Sequence, residues 1–186
     1  MNTLGAGSMT LIKRQTTDGI RINAGLLALI MCFFSLPGLS QDISDIDELA
    51  VRGNRANVLQ LGDDLNVNLN QQGADNHFIS TQSGFGNQLS TTQQGTNNHT
   101  IANQSGSDIE ANILQSGFNN VALVNQVGVS LMADLTQIGI DNVAIVNQTG
   151  SENVIWIQQY GSGNAVGVTQ WGTSQHVVVT QGNLSN

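Results

Sequence analysis

The sequence predicts an all-β chain, a β-solenoid (β-helix) of six 22-residue strand-turn-strand-turn rungs with amyloid-like cross-β stacking. Three observations predict it. Gln recurs at every eleventh position from Gln60 to Gln181, Gly stands two residues after it, and the residues between alternate with period two. The Gln series is Gln60, Gln71, Gln82, Gln93, Gln104, Gln115, Gln126, Gln137, Gln148, Gln159, Gln170 and Gln181. The Gly series is Gly62, Gly73, Gly84, Gly95, Gly106, Gly117, Gly128, Gly139, Gly150, Gly161 and Gly172, and Asn183 ends it.

Residues 1–40 precede the pattern and read as a secretory signal peptide. Lys13, Arg14 and Arg21 lead into the apolar run Ala24–Phe34, and Gly38 and Ser40 fit the small-residue positions before a cut at Gln41. The run has 11 residues, against roughly 20 for a membrane-spanning helix, which argues against an anchor. Met9 is an alternative start, and Cys32 leaves with the signal, so no disulfide framework is expected. The exported chain would carry Arg52 and Arg55 against twelve Asp and Glu, a net charge of 2 − 12 = −10. That balance excludes a basic nucleic-acid footprint. Residues 41–53 form an acidic leader, too short for a stable helix alone, that reads as a linker or a recognition tag.

The repeat occupies residues 54–186. Six residues before alternate Gln positions stands an unbroken series, Asn54, Asn76, Asn98, Asn120, Asn142 and Asn164. The other half-repeats carry Leu65, Asn87, Ile109, Leu131, Asn153 and Gln175, so the unit is 22 residues in two unequal halves. An eleven-residue period also suits a right-handed coiled coil. Recurrent Gly with Asn, Ser, Thr and Val filler is poor helix material. Asn120, Ala122, Val124 and Gln126 instead form one face of a strand.

Each half is read as a strand of about seven residues and a four-residue turn such as Ser116–Asn119, with the Gly in the turn. Ala56, Phe78, Thr100, Ala122, Ala144 and Val166 then face Val67, Leu89, Ala111, Ala133, Ile155 and Val177 across a thin core. Flanking columns of identical amides, stacked at about 4.8 Å, donate to and accept from their copies. These Gln and Asn columns are the expected structural ladders.

No catalytic, cofactor-binding or metal site is expected. His77 and His99 share a column, but His176 lies on the other sheet, and a metal needs three or four converging ligands. Asp63, Asp64, Asp75, Asp108 and Asp141 fall in turns, where Asp is common, and do not follow a calcium-roll pattern. The chemistry expected instead is at the ends. From Ala56 to Asn186 there is no Lys, Arg or Pro to blunt an edge strand, so the edges should take another copy.

Gln115–Gln126 (QSGFNNVALVNQ) and Gln137–Gln148 (QIGIDNVAIVNQ) share eight of twelve residues. Their phrase, Gln-x-Gly-x-x-Asn-x-Ala-x-x-x-Gln, resembles the curlin repeat, and looser versions run from Asn54 to Gln181, about 70% of the chain. The resemblance implies a secreted, extracellular subunit of curli (a cell-surface fimbrium), a functional amyloid of biofilm matrix and adhesion. It implies as partners further copies, the other curlin subunit, and the outer-membrane secretion and anchoring machinery. The short leader and the Ala/Val-rich halves are more similar to the minor, nucleating subunit than to the major, fibre-forming one. Trp171–Asn186 departs from that pattern in having no Lys or Arg. Outward Val121, Leu123, Val143, Ile145, Val154 and Trp156 make an apolar surface suited to filament pairing or membrane contact. A monomeric solenoid binding ligand or ice along a flat face is the alternative from another class. The heterogeneous outward column Arg55, His77, His99, Val121, Val143 and Ala165 speaks against it.

Overall fold

The computed structural model describes residues 8–14 and 53–183; most of the expected signal peptide and acidic leader lies outside the described residues. Thirteen strands follow in order: β1 (Ser8–Arg14), β2 (Arg55–Asp63), β3 (Asn66–Ala74), β4 (His77–Phe85), β5 (Gln88–Thr96), β6 (His99–Ser107) and β7 (Glu110–Phe118), then β8 (Val121–Val129), β9 (Met132–Ile140), β10 (Val143–Ser151), β11 (Val154–Ser162), β12 (Ala165–Thr173) and β13 (His176–Gly182). No helix occurs among the described residues.

The strands form two parallel sheets, ordered β1-β2-β4-β6-β8-β10-β12 and β13-β11-β9-β7-β5-β3. From β2 onward, register advances by one 22-residue unit per step, so Gln82 pairs with Gln104, Gly84 with Gly106 and Ala122 with Ala144. This is the solenoid that the period predicts. Inward positions alternate with outward ones along each strand, as the pleat requires. Ala56, Val58, Phe78, Ala102, Ala122, Val124, Ala144 and Val146 of one sheet meet Leu89, Ala111, Ile113, Ala133, Leu135, Ile155 and Ile157 of the other in a continuous core.

Two features differ from the sequence reading. The repeat strands β2 to β12 have nine residues, and the Gly of each half-repeat lies inside its strand, next to last, as Gly117 does in β7. The Gly stays in the ladder because glycines stack directly. Gly117 has φ 119°, and an added Cβ would meet the carbonyl oxygen of Gly139 one rung on. The sharp corner comes two residues later, at Asp64, Asp75, Asn97, Asp108, Asn119, Ser130, Asp141, Glu152 and Ser174, all with φ between 53° and 58°. Left-handed backbone is disfavoured for side chains, least for Asn and Asp.

The second difference is β1, which lies parallel to β2 from Ser8 opposite Arg55 to Arg14 opposite Leu61. The sequence reading leaves the β2 edge bare. An unpaired edge offers a row of N–H and C=O groups to any extended segment, and Ser8–Arg14 contains neither Pro nor Gly.

Candidate assembly interface

Alternation places the Gln series inward, and the repeat places each Gln one rung from its copies. In the first sheet Nε2 donates to the next rung's Oε1 from Gln60 to Gln82 (2.7 Å), Gln82 to Gln104 (2.7 Å), Gln104 to Gln126 (3.2 Å), Gln126 to Gln148 (2.8 Å) and Gln148 to Gln170 (3.0 Å). In the second sheet the same bonds join Gln71, Gln93, Gln115, Gln137, Gln159 and Gln181 at 2.8–2.9 Å. Each Nε2 from Gln71 onward also donates across the core to a carbonyl sixteen residues earlier, as Gln126 does to Glu110 (3.1 Å) and Gln137 to Val121 (2.9 Å). The backbone therefore dictates which end of the amide is nitrogen. Side chain and main chain together tie one rung to the next and one sheet to the other.

The Asn series runs the opposite way. Nδ2 of Asn76, Asn98, Asn120, Asn142 and Asn164 donates to Oδ1 of the Asn one rung earlier at 2.8–3.0 Å. That same Oδ1 accepts the later residue's backbone N–H, at 3.0 Å for Asn76 to Asn54. Nδ2 also reaches a glycine carbonyl: Asn76 to Gly95, Asn98 to Gly117, Asn120 to Gly139 and Asn142 to Gly161. The glycine carbonyls at the stacked bends thus find donors, as buried carbonyls must. Asn87, between Leu65 and Ile109 in its column, and Asn153, between Leu131 and Gln175, keep the backbone half of this pattern, donating to Gly106 and Gly172 and accepting from the N–H of Ile109 and Gln175. That is why Leu and Ile can share their column. The lateral amide bond is dispensable there.

Most ladder members are fully covered; Gln71, Gln181 and Asn164, at the ends, are partly exposed. The core is unfinished at the same places, with Val67 and Leu69 at one end and Val166, Val177 and Val179 at the other only partly buried. A recess of about 360 Å3 at the N-terminal end is lined by Val58, Gln60, Leu65, Val67 and Leu69, with Asn66 and Asn68 beside them. Among the described residues, nothing pairs with the outer edges of β3, β12 and β13.

The outer faces change character along the axis. Ile79, Ile101, Leu123 and Ile145 stack in one column of the first sheet, where Ile101 and Ile145 are exposed. In the second sheet Ile138, Trp156, Tyr160 and Val178 are exposed. Near the N-terminal end the His77 and His99 rings meet edge to face at 5.8 Å, in register with Arg55. Burial, then His99, then Arg55 lower the His77 pKa below the ordinary histidine value. His176 lies on the other sheet against Trp156, 5.3 Å between centroids. Burial and the Glu110 carboxylate raise the Asp134 pKa. Among the described residues no three metal-binding side chains converge.

Sequence reading places Asp64, Asp75, Asp108, Asn119 and Asp141 in turns but misses that one left-handed corner recurs in the half-repeats. Its signal was present, since positions two after the Gly are Asp, Asn, Ser, Glu or Gly throughout.

A parallel β-solenoid closed by buried amide ladders and glycine bends, with unpaired strand edges, is a repeat protein built to stack. The family model for the curlin associated repeat matches residues 106–139, from the end of β6 through β9. The same register runs through all six rungs, so the matched segment, similar to the curlin associated repeat, is representative of the whole repeat region. No curated protein and no solved structure matches it.

Proposed function

We propose that the chain is an extracellular structural subunit of a curli-type amyloid fibre, and within that class the minor subunit that nucleates assembly at the bacterial surface for biofilm matrix and adhesion. The observation that carries the fibre reading is that, among the described residues, the ladders and core rows run unfinished to the ends of the repeat and the outer edges of β3, β12 and β13 are unpaired. Each added rung covers partly exposed apolar and amide groups and extends the ladders. The role is structural, not catalytic. Export through the signal peptide of residues 1–40 and contact with the curli secretion and anchoring machinery complete the proposal. So does the other curlin subunit as partner.

The nucleator reading is supported by the short leader and the Ala/Val-rich halves; the major, fibre-forming subunit is the second reading. Sub-stoichiometric chain added to the major curlin subunit should shorten its polymerisation lag. An unchanged lag with normal self-assembly would transfer the assignment to the major subunit.

A further inference from the structure

We infer that the outer face of the second sheet binds a neutral glycan chain, with the Trp156 indole as the platform for one pyranose ring. The site lies within a single chain and does not depend on self-association.

Outward positions of the second sheet stack in straight columns, because each strand repeats the register of the one before. One column holds Asp134, Trp156 and Val178, and the next holds Thr136, Gln158 and Thr180. Between them runs a trough of about 330 Å3, lined by Asp134, Thr136, Trp156, Gln158 and Val178. That volume falls within the roughly 300–1,000 Å3 of small-molecule sites. Trp156 is 44% exposed, although indoles are highly buried on average. The His176 ring meets it edge to face at 5.3 Å and holds its plane.

The lining selects the ligand. An indole offers a broad apolar face, while a carboxyl, a hydroxyl and a primary amide stand beside it in the same trough. Burial and Glu110 raise the Asp134 pKa, and a half-buried carboxyl gains from a hydroxyl that donates to it. A pyranose ring supplies both halves. The C–H groups of its flat face lie on the electron-rich face of the indole, and the hydroxyls round its rim exchange hydrogen bonds with Asp134, Thr136 and Gln158.

The ligand is a chain because the polar face continues along the axis. Towards β3 the same outer face carries Asn66, Asn68, Gln88, Ser90, Glu110 and Asn112 around a second depression of about 160 Å3. Five strand steps at about 4.8 Å separate β3 from β13, so the face runs about 24 Å. An acyl chain or an apolar peptide lying there would cover the amides of β3 and β5 and leave their hydrogen bonds unmade. An acidic polymer would meet Glu110 and Asp134 with no compensating cation, since no Lys or Arg follows Arg55. Those two carboxylates are the only ones on the outer positions of the six strands, and exposed ion pairs of that number hold a polycation weakly. An uncharged polyhydroxylic chain fits the whole face.

Calorimetric titration of the chain with cellohexaose, at concentrations where the protein stays monomeric, tests the site. Saturable binding is expected, and Trp156→Ala should weaken it about tenfold. Trp156→Phe, which keeps an aromatic face, should recover most of that loss, and Gln158→Ala should cost about fivefold. Circular dichroism checks that each variant keeps its strands, as it should for side chains outside the core. Trp156 and Trp171 are the two tryptophans of the chain, and Trp171 is 72% exposed on the other sheet. Trp171→Phe therefore leaves Trp156 as the sole indole, and its emission should move to the blue as the sugar is added. Trp171→Ala should leave the affinity unchanged. No binding, a Trp156 emission that ignores the sugar, or equal losses from Trp156→Ala and Trp171→Ala would each overturn the site. Tighter binding of hexalysine, of polygalacturonate or of phosphatidylglycerol vesicles than of cellohexaose would overturn the neutral-glycan assignment, in favour of a polycation, a polyanion or a membrane respectively.

Discussion

Gln126→Ala tests whether the ladders hold the rungs together. Gln126 is fully buried, donates to Gln148 Oε1 (2.8 Å) and the Glu110 carbonyl (3.1 Å), and accepts from Gln104 (3.2 Å). Truncation removes all three bonds and leaves Gln148 Oε1 without its donor. At about 1 kcal/mol for each bond, with a further contribution from the void left between Gln104 and Gln148, the loss should reach roughly 3–4 kcal/mol. Asn125→Ala, one residue earlier on the exposed face, should change stability by no more than about 0.5 kcal/mol. Urea unfolding of the chain at concentrations where it stays monomeric, followed by circular dichroism, gives both numbers. Midpoint shifts that agree within error would refute the ladder account, because position on the inner row would then carry no energy.

Other perturbations probe separate parts of the structure. Gly117→Ala forces a Cβ onto the Gly139 carbonyl at φ 119° and should cost about 3 kcal/mol or prevent folding, while Gly167→Ala, with no atom within 4 Å of the added carbon, should be neutral or stabilising by about 0.5 kcal/mol. Similar losses for both in thermal melts would refute the stacking role of the series. The Ser80 and Thr91 hydroxyls are buried without a partner, so Thr91→Val should stabilise by about 1 kcal/mol; a lower melting temperature would show that the hydroxyl is bonded. His77 has its folded pKa lowered, so the unfolded chain binds the proton more readily. Stability should accordingly fall as pH drops through about 6.5, the ordinary histidine value, towards the lower folded value. His77→Asn should flatten that part of the profile, and an unchanged slope would remove His77 as its source.

Much of this architecture was legible because one repeated constraint writes itself into the sequence many times. A buried amide must meet its copy, so Gln126 demands Gln104 and Gln148, and the period survives in every rung. Gly117 was legible as a glycine but not as a strand residue. Its requirement comes from the Gly139 carbonyl one rung away rather than from a turn in its own segment. Asn119 was legible as a turn residue, but the recurrence of its left-handed corner was hidden because Asp, Asn, Ser, Glu and Gly all serve there. The opposed directions of the Gln and Asn ladders have no sequence signature. They depend on which backbone carbonyl each amide reaches, and that is a property of the closed rung. Asn183 was visible only as a break in the Gly series, its grip on Ser162 being a tertiary contact. The pairing of Ser8–Arg14 with β2 lies outside the repeat, so no periodicity announces it.

The central claim is that the solenoid is one stretch of a longer stack, continued by other chains through its unpaired edges. Its most direct test is the chain beginning at Gln41, held in dilute buffer for several days, then sedimented and examined by fibre diffraction. Stacking predicts a sedimenting fibre with a reflection near 4.8 Å along the fibre axis. A chain that remains monomeric at every concentration, with no ordered sediment, would contradict it.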